Sequence, residues 1–360
     1  MVTKFRTSER AVSPVANLCV QPSEAGSKSR SQKYELRPLC DADEDRWNEF
    51  VRRSPQGTLF HTKLWLGAVD GEYRLFGCFR RDELRGGFAI GITDRRSAVH
   101  PTPALTPYLG LVLPRPESRY VTELSSNKRI TAEFAGFLKT EFNSIELRCP
   151  PEVVDLQPFI WEGYRCGVRY TYRLSVKDLN VALEGMEKGR RYNLTSARRD
   201  GIVAEAGSFE DVMSLSERTF SRQGLPQSFQ MAAVRYHSAL QKAERCQAFV
   251  ARDKHGAAVA AVWIVWDEKR AYNLVSGYDH LAGANNAAAL VLWRAIQFTS
   301  EELGLPEFDF EGSMIASVEQ FFRKFGGILT PTYTLSWKRR STGLHQRVAR
   351  KMVRLVAGEP

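Results

Sequence analysis

A chain of 360 residues is long enough for one very large domain or two ordinary ones. Its content of 43% apolar and 26% charged residues is that of a globular protein, and no run approaches the roughly 18 consecutive apolar residues that a membrane span needs. Lys plus Arg number 51 against 41 for Asp plus Glu, a formal charge of +10. Such a surface concentrates polyanions, whether a nucleotide cofactor, an RNA acceptor stem, a phosphorylated envelope precursor or an anionic membrane face, or it serves solubility alone. The opening residues contain no continuous apolar segment of signal-peptide type. Cys19, Cys40, Cys78, Cys149, Cys166 and Cys246 are scattered, with no CxxC pair. That spacing suits reduced thiols in the cytoplasm better than a disulfide frame or a metal site, and no metal is expected.

Residues 1–32 are rich in Ser, Lys, Arg and Gln without periodicity and are read as a basic disordered tail or as an over-long predicted start. Order begins with the alternating run at Tyr34. Asp41 to Val51 has helical spacing, with Trp47 and Phe50 on one face. Strands at 73–79 and 87–92 are joined by the turn-like Arg81–Gly86 stretch, and a helix at 129–140 leads into a strand at 144–148. This completes a first mixed α/β lobe over 33–170. A second lobe, 171–340, opens on Tyr172 and continues with a polar helix over about 178–199 and helices at 210–220 and 229–242. Strands follow at 247–251, 258–266 and 271–276, then a long apolar helix at 285–303 that stops at Gly304-Leu-Pro306. A short strand at 308–311, a helix at 318–325 and a strand at 333–337 close the lobe. In 341–360, Leu344, Val348, Met352 and Leu355 recur on one helical face with Arg347, Arg350, Lys351 and Arg354 around the rest. This amphipathic helix packs on the second lobe or lies on an anionic membrane surface.

The order strand–strand–strand–helix–strand–helix–strand in the second lobe carries a resemblance. Arg190-Arg-Tyr-Asn-Leu-Thr-Ser-Ala-Arg-Arg-Asp-Gly201, Asn285-Asn-Ala-Ala-Ala-Leu-Val-Leu-Trp-Arg-Ala-Ile296, Phe308-Asp-Phe-Glu-Gly-Ser313 and Phe321-Phe-Arg-Lys-Phe-Gly-Gly327 together resemble the GNAT superfamily. The likeness is to its double-lobed branch, which includes the Fem-type peptidoglycan aminoacyltransferases. It covers about 34–338 by layout and is specific over 190–201 and 285–327. Fem-type enzymes carry Lys after the first Phe of the last motif, where this chain has Phe322. The resemblance implies an α/β fold of two tandem GNAT-like lobes with mixed sheets. It also implies an N-acyltransferase, N-acetyltransferase-like, that moves an acyl group to an amine. The donor would be acyl-CoA (acetyl-CoA) or, second, an aminoacyl transfer RNA, and the acceptor an amine, including one on a cell-envelope or polysaccharide precursor. The alternative is a non-catalytic polyanion-binding or membrane-adaptor protein that keeps the fold.

Acyl transfer to an amine needs a neutral nucleophile, a polarised carbonyl and a route for the proton. The resemblance assigns the second to a backbone N–H on the splayed central strand, here Ala271–Ser276, acting as an oxyanion hole worth roughly 3–4 kcal/mol in hydrolases. The donor site then lies between that strand and Phe308–Phe310. Ser276, Gly277 and the loop to Asn286 are the cofactor-binding candidates, with His280, Gly283 and Asn285 in partial match to the pyrophosphate loop of acetyl-CoA-dependent GNATs; the other reading is a helix-capping loop. Asp309 and Glu311 alternate along a strand, opposite Phe308 and Phe310, and are candidates to orient the amine and take its proton, or to pair with Arg323 or Lys324. Lys188, Arg190, Arg191, Arg198 and Arg199 form a cationic segment that grips phosphates or is a solvated face; Arg190, Arg191, Arg323, Lys324 and His61 are the substrate-binding candidates. Trp65 reads as core.

Overall fold

In the computed structural model the same element order occurs twice along the chain, apart from an extra short strand in the first repeat; the structure describes residues 34–69, 71–94, 98–99, 102–280, 285–312 and 314–339. The tail at 1–32 and the amphipathic segment at 341–360 lie outside the described residues. The first repeat runs β1 (Glu35–Pro38), α1 (Glu44–Arg53), α2 (Lys63–Leu66), β2 (Glu72–Arg80), β3 (Glu83–Asp94), β4 (Ala98–Val99), β5 (Gly110–Val112), α3 (Tyr120–Glu141), β6 (Ser144–Cys149), α4 (Gln157–Trp161) and β7 (Arg165–Ser175). Two helices, α5 (Leu179–Glu184) and α6 (Lys188–Arg199), lead into the second repeat. It comprises β8 (Val203–Ala206), α7 (Phe209–Arg222), α8 (Gln230–Lys242), β9 (Cys246–Arg252), β10 (Ala258–Trp266), β11 (Arg270–Tyr278), α9 (Asn285–Glu301), β12 (Glu307–Asp309), α10 (Ala316–Arg323) and β13 (Ile328–Lys338).

The strands form one continuous sheet in the order β1-β2-β3-β4-β6-β13-β7-β12-β11-β10-β9-β8, with β5 added beside β3. The repeats exchange their last strands. β7, which closes the first, lies against β12 of the second, and β13, which closes the second, lies against β6 of the first. The two then pair antiparallel with each other from Arg165↔Ser336 to Arg173↔Ile328. One sequence offset relates Ser144 to Glu307 and Arg165 to Ile328, so a pseudo-twofold axis passes between β7 and β13. The lobes therefore meet in a shared sheet.

Local chemistry accounts for most element ends. Arg81 and Asp82 both adopt left-handed φ, 53° and 62°, which makes a two-residue hairpin turn of the twist-matched kind. The turn is thus shorter than the Arg81–Gly86 stretch, and β3 starts at Glu83. The helix expected over 178–199 is broken between Glu184 and Lys188: Asp178 caps the first piece by accepting from the N–H groups of Asn180 and Val181. At the β9–β10 turn, Asp253 accepts from the N–H groups of His255 and Ala257 and Gly256 takes φ 82°. The α3 helix begins nine residues earlier than the periodicity places it, because its first two turns are largely exposed and carry no apolar stripe.

Three apolar clusters fill the layers. One packs α6, α9 and α10 on Tyr172, Leu174, Phe308 and Phe310; another packs α3 and α4 on β6 and Leu335. The third is shared between the repeats: Trp47, Phe60 and Trp65 meet Phe209, Tyr236 and Trp263 on the other face of the sheet. Trp65 is fully buried, stacked 3.9 Å from the Tyr236 ring. No helix among the described residues is long and apolar enough to cross a membrane.

Candidate active site at the strand splay

The parallel strands β11 and β12 touch over three residues only, Arg270–Tyr272 against Glu307–Asp309. Beyond that point β11 runs on to Tyr278 beside β10, whereas β12 ends. Glu311 (φ 59°) and Gly312 (φ 40°) turn the chain out of the sheet. Only glycine fits at 312, since a Cβ there would lie 2.1 Å from the Tyr170 carbonyl oxygen. On the far side, β7 stays paired with β13 down to Arg165, and among the described strands nothing pairs its other edge from Tyr170 to Arg165. The result is a wedge open between β11 and β7, with residues 309–312 at its apex. Just inside the wedge the β10–β11 register slips, pairing Trp263 with Val275 and Ile264 with Asn273, so that Leu274 is an unpaired bulge. A bulge re-aims backbone groups out of the ladder.

Asp309 and Glu311 both reach the face of the sheet that looks toward the first repeat, but they differ in what surrounds them. Asp309 is fully buried. It accepts from the Tyr108 hydroxyl at 3.2 Å, the Thr171 hydroxyl at 2.5 Å, Arg173 Nε at 3.1 Å and the Glu311 N–H at 2.9 Å. Four donors saturate a carboxylate, so Asp309 holds position. Its N–H link to Glu311 also fixes the left-handed turn. Glu311 Oε1 is sealed from solvent and, among the described residues, has no hydrogen-bond partner. Burial, then the neighbouring Asp309 charge, push the Glu311 carboxyl well above the usual carboxylate range against the opposing pull of Arg148. Burial and the same two acids raise Tyr108, which keeps its proton and stays a donor.

Beneath the apex a buried ion network ties the repeats together. Glu152, from the loop after β6, accepts from Arg173 at 2.6 Å and Arg270 at 3.0 Å; Arg270 Nε lies 2.6 Å from Glu307. Asp267 accepts from the Leu59 N–H and the Tyr272 hydroxyl, and Lys269 donates to the carbonyls of Ser54 and Gly57. His61 sits within this layer. It is fully buried, its Nδ1 is 2.8 Å from the Thr58 hydroxyl, and burial and then the Lys269 charge lower its pKa to about 3. It is a neutral packing and hydrogen-bonding residue of the lobe interface and does not reach a solvent-open cleft.

The other sequence candidates are placed as follows. Gly277 meets the α7 backbone: a Cβ would stand 2.2 Å from the Ser216 N, so its bareness serves packing. The Ser276 hydroxyl donates to Asn273 Oδ1 at 3.0 Å beside the bulge. His280 is exposed and Asn286 half-buried near the start of α9; Gly283 lies outside the described residues, and Asn285 is the first residue of α9. Arg323 pairs with Glu319 and Lys324 with Glu187, away from Asp309 and Glu311. Arg190 is buried, not presented to solvent: its guanidinium lies 4.2 Å and 4.8 Å from the ring centroids of Phe321 and Phe325 and donates to the Phe321 carbonyl. Arg191 caps α5 through the Glu184 carbonyl at 2.7 Å. These two arginines of the first motif therefore lock α6 to α10 and α5. Arg190→Ala is expected to lower the unfolding free energy by about 1–2 kcal/mol through the lost cation–π and stem packing; urea unfolding indistinguishable from wild type would refute that structural role.

Tyr108, Arg148, Glu152, Thr171, Arg173 and Arg270 were not singled out by motif. The readable signal was Arg173 between Tyr172 and Leu174, and Arg270 before Ala271-Tyr272: a charge inside an apolar strand has to find a buried partner.

A sequence-family profile for the acetyltransferase (GNAT) domain matches residues 184–323, from the end of α5 through α10. The second half of the chain thus carries a GNAT acetyltransferase domain, within a fold of two tandem GNAT-like lobes. In fold this GNAT protein is similar to FemX, with a TM-score of 0.61 at 12% identity over 83% of this chain and 96% of that one. It is also similar to a tandem GNAT protein from the clavulanic acid biosynthesis pathway (0.52, 9% identity, 85% and 98% covered). A GNAT-family acetyltransferase from Colwellia psychrerythraea matches at 0.50 with 11% identity, 85% and 100% covered. No curated protein sequence matches the chain. Among the described residues no group of three or more His, Cys, Asp or Glu could hold a metal ion.

Proposed function

We propose that this GNAT protein is an N-acyltransferase that takes an acyl thioester, acyl-CoA, in the wedge between β11 and β7 and an amine at the Glu311 side of its apex. The observation that carries this reading is the half-buried Glu311 at the point where the strands part, with one carboxyl oxygen sealed from solvent and without a hydrogen-bond partner among the described residues. The wedge suits an extended donor because both its walls are strand edges with free backbone groups, and the start of α9 supplies unpaired N–H groups for a pyrophosphate. An acyl-CoA bound there supplies the activated carbonyl. Backbone N–H groups around the Leu274 bulge polarise that carbonyl as charge develops on its oxygen. Glu311, raised by burial well above the usual carboxylate range, accepts the proton as the C–N bond forms. That proton offsets the one the departing thiolate requires, so the carboxyl relays rather than consumes. Asp309, held by Tyr108, Thr171 and Arg173, fixes the turn that aims Glu311.

An acceptor carried by a cell-envelope or polysaccharide precursor rests on the family resemblance, and a cytoplasmic setting on the scattered, unpaired pattern of the cysteines. The test is thiol release from acetyl-CoA and longer acyl-CoAs with a panel of amines, run beside acyl transfer from charged transfer RNA. Release with CoA donors is the expected result. Transfer from transfer RNA alone would replace the donor, and failure of both with retained RNA or anionic-lipid binding would favour a polyanion-binding protein on this fold.

A further inference from the structure

Beside Glu311 the sheet carries a feature that acyl transfer to a simple amine does not require. Across β6, β13 and β7, Arg148 and Gly167 both stand opposite Thr334, and Arg169 stands opposite Thr332. Arg169, Thr171 and Arg173 alternate along β7, so these side chains share the face that bears Asp309. Gly167 leaves the middle bare; a Cβ there would come within 2.6 Å of Thr334 Oγ1. The apex lies against this floor, because Gly312 touches the backbone of Tyr170 and Thr171, next to Arg169 in the chain.

Neither the Arg148 nor the Arg169 side chain makes a hydrogen bond or an ion pair within 4.0 Å among the described residues, in contrast to Arg173 and Arg270 below them. Arg148 is half-buried and Arg169 exposed. Burial and then the Arg169 charge disfavour the charged form of Arg148. Glu146, two residues back on β6, is exposed and makes no ion pair with Arg148 within 4.0 Å. Against these two adjacent guanidiniums stand only the more distant charges of Glu146 and Glu311, which favour charged Arg148 without pairing with it, and the fork of a guanidinium matches the oxygens of a carboxylate or phosphate.

We propose that Arg148 and Arg169, over the Thr332, Thr334 and Gly167 floor, bind an oxyanion carried by the acceptor and so hold its amino group against Glu311. The acceptor class is then an amine with a carboxylate or phosphate close to the nitrogen. The anion site stands on its own geometry; the position of the amine rests on the acyl-transfer reading.

The test has two arms on the full chain. Inorganic phosphate and acetate are first titrated in calorimetry with no donor present. The wild type is expected to bind at least one, and Arg148→Gln and Arg169→Gln each to weaken it at least tenfold with unchanged melting temperature, while Arg148→Lys restores part of the affinity. Acceptors are then compared with acetyl-CoA: ethanolamine, phosphoethanolamine and β-alanine. The wild type should prefer an anionic acceptor to ethanolamine at least tenfold in kcat/KM, through KM, and the double Gln variant should lose that preference. Whether phosphoethanolamine or β-alanine leads tells phosphate from carboxylate. Anion binding identical in wild type and the double variant, or thiol release with no anion preference, overturns the inference and leaves acyl transfer standing. Arginine-dependent anion binding without thiol release from any donor keeps the anion site and overturns the acyl-transfer reading instead.

Discussion

Glu311→Gln is expected to lower turnover at least tenfold, equivalent to about 1.4 kcal/mol in the barrier, without loss of the fold. The amide keeps the shape of the side chain but cannot take the amine proton. The pH dependence separates this from a loss of packing. Because burial and the Asp309 charge raise the Glu311 carboxyl, the wild-type rate should climb with pH along a limb lying above the ordinary glutamate range, and the variant should lack that limb. Stability should move the other way. A carboxyl whose pKa is raised on folding contributes most below its unfolded value and loses that contribution as pH rises through its folded value. Glu311→Gln has no such loss, so its melting temperature should gain on the wild type as pH increases above the unfolded glutamate range. A variant with wild-type turnover in an assay that detects the reaction would return Glu311 to a structural role.

Arg173→Met should have the largest effect on stability, about 3–5 kcal/mol, the usual consequence of removing one member of a buried ion cluster. Its guanidinium lies 3.1 Å from Asp309 and 2.6 Å from Glu152, and Asp309 is wholly buried. Without it Asp309 keeps only hydroxyl and backbone donors. Combining Arg173→Met with Asp309→Asn should cost less than the two singles summed, because the second change removes the orphaned charge. Acid should act through the same cluster. Burial alone would raise Glu152, but Arg270 and Arg173 outweigh it and hold the carboxyl below its ordinary value. The stability this supplies is present above the unfolded glutamate pKa and is lost as pH falls through the folded one. Equal unfolding free energies for wild type and Arg173→Met, by urea titration at neutral pH, would show that the network contributes nothing.

Much of the architecture could be read along the chain because its causes are local. The continuous apolar run Ala258–Trp266, the apolar length of 285–303 with Gly304 behind it, and the cap and turn residues at Asp178 and Asp253 depend on neighbours a few positions away, so the sequence by itself determined the second lobe's element order and the family it resembles. The alternation that puts Phe308 and Phe310 opposite Asp309 also held, but it could not reach Glu311, whose left-handed turn comes from Gly312 pressed on β7. Arg190 shows the same limit. A charge in a basic helical segment looks solvated until Phe321 and Phe325, more than a hundred residues later, close over it. Only the tertiary structure decided that the last strands are exchanged, that Tyr108, Glu152 and Arg173 converge under the apex, and that the Arg148 and Arg169 side chains stand together without an ion pair within 4.0 Å among the described residues. Those facts depend on strand order across the sheet, and hydrogen-bonding between β7 and β13 is available to many registers until the packed lobes select one.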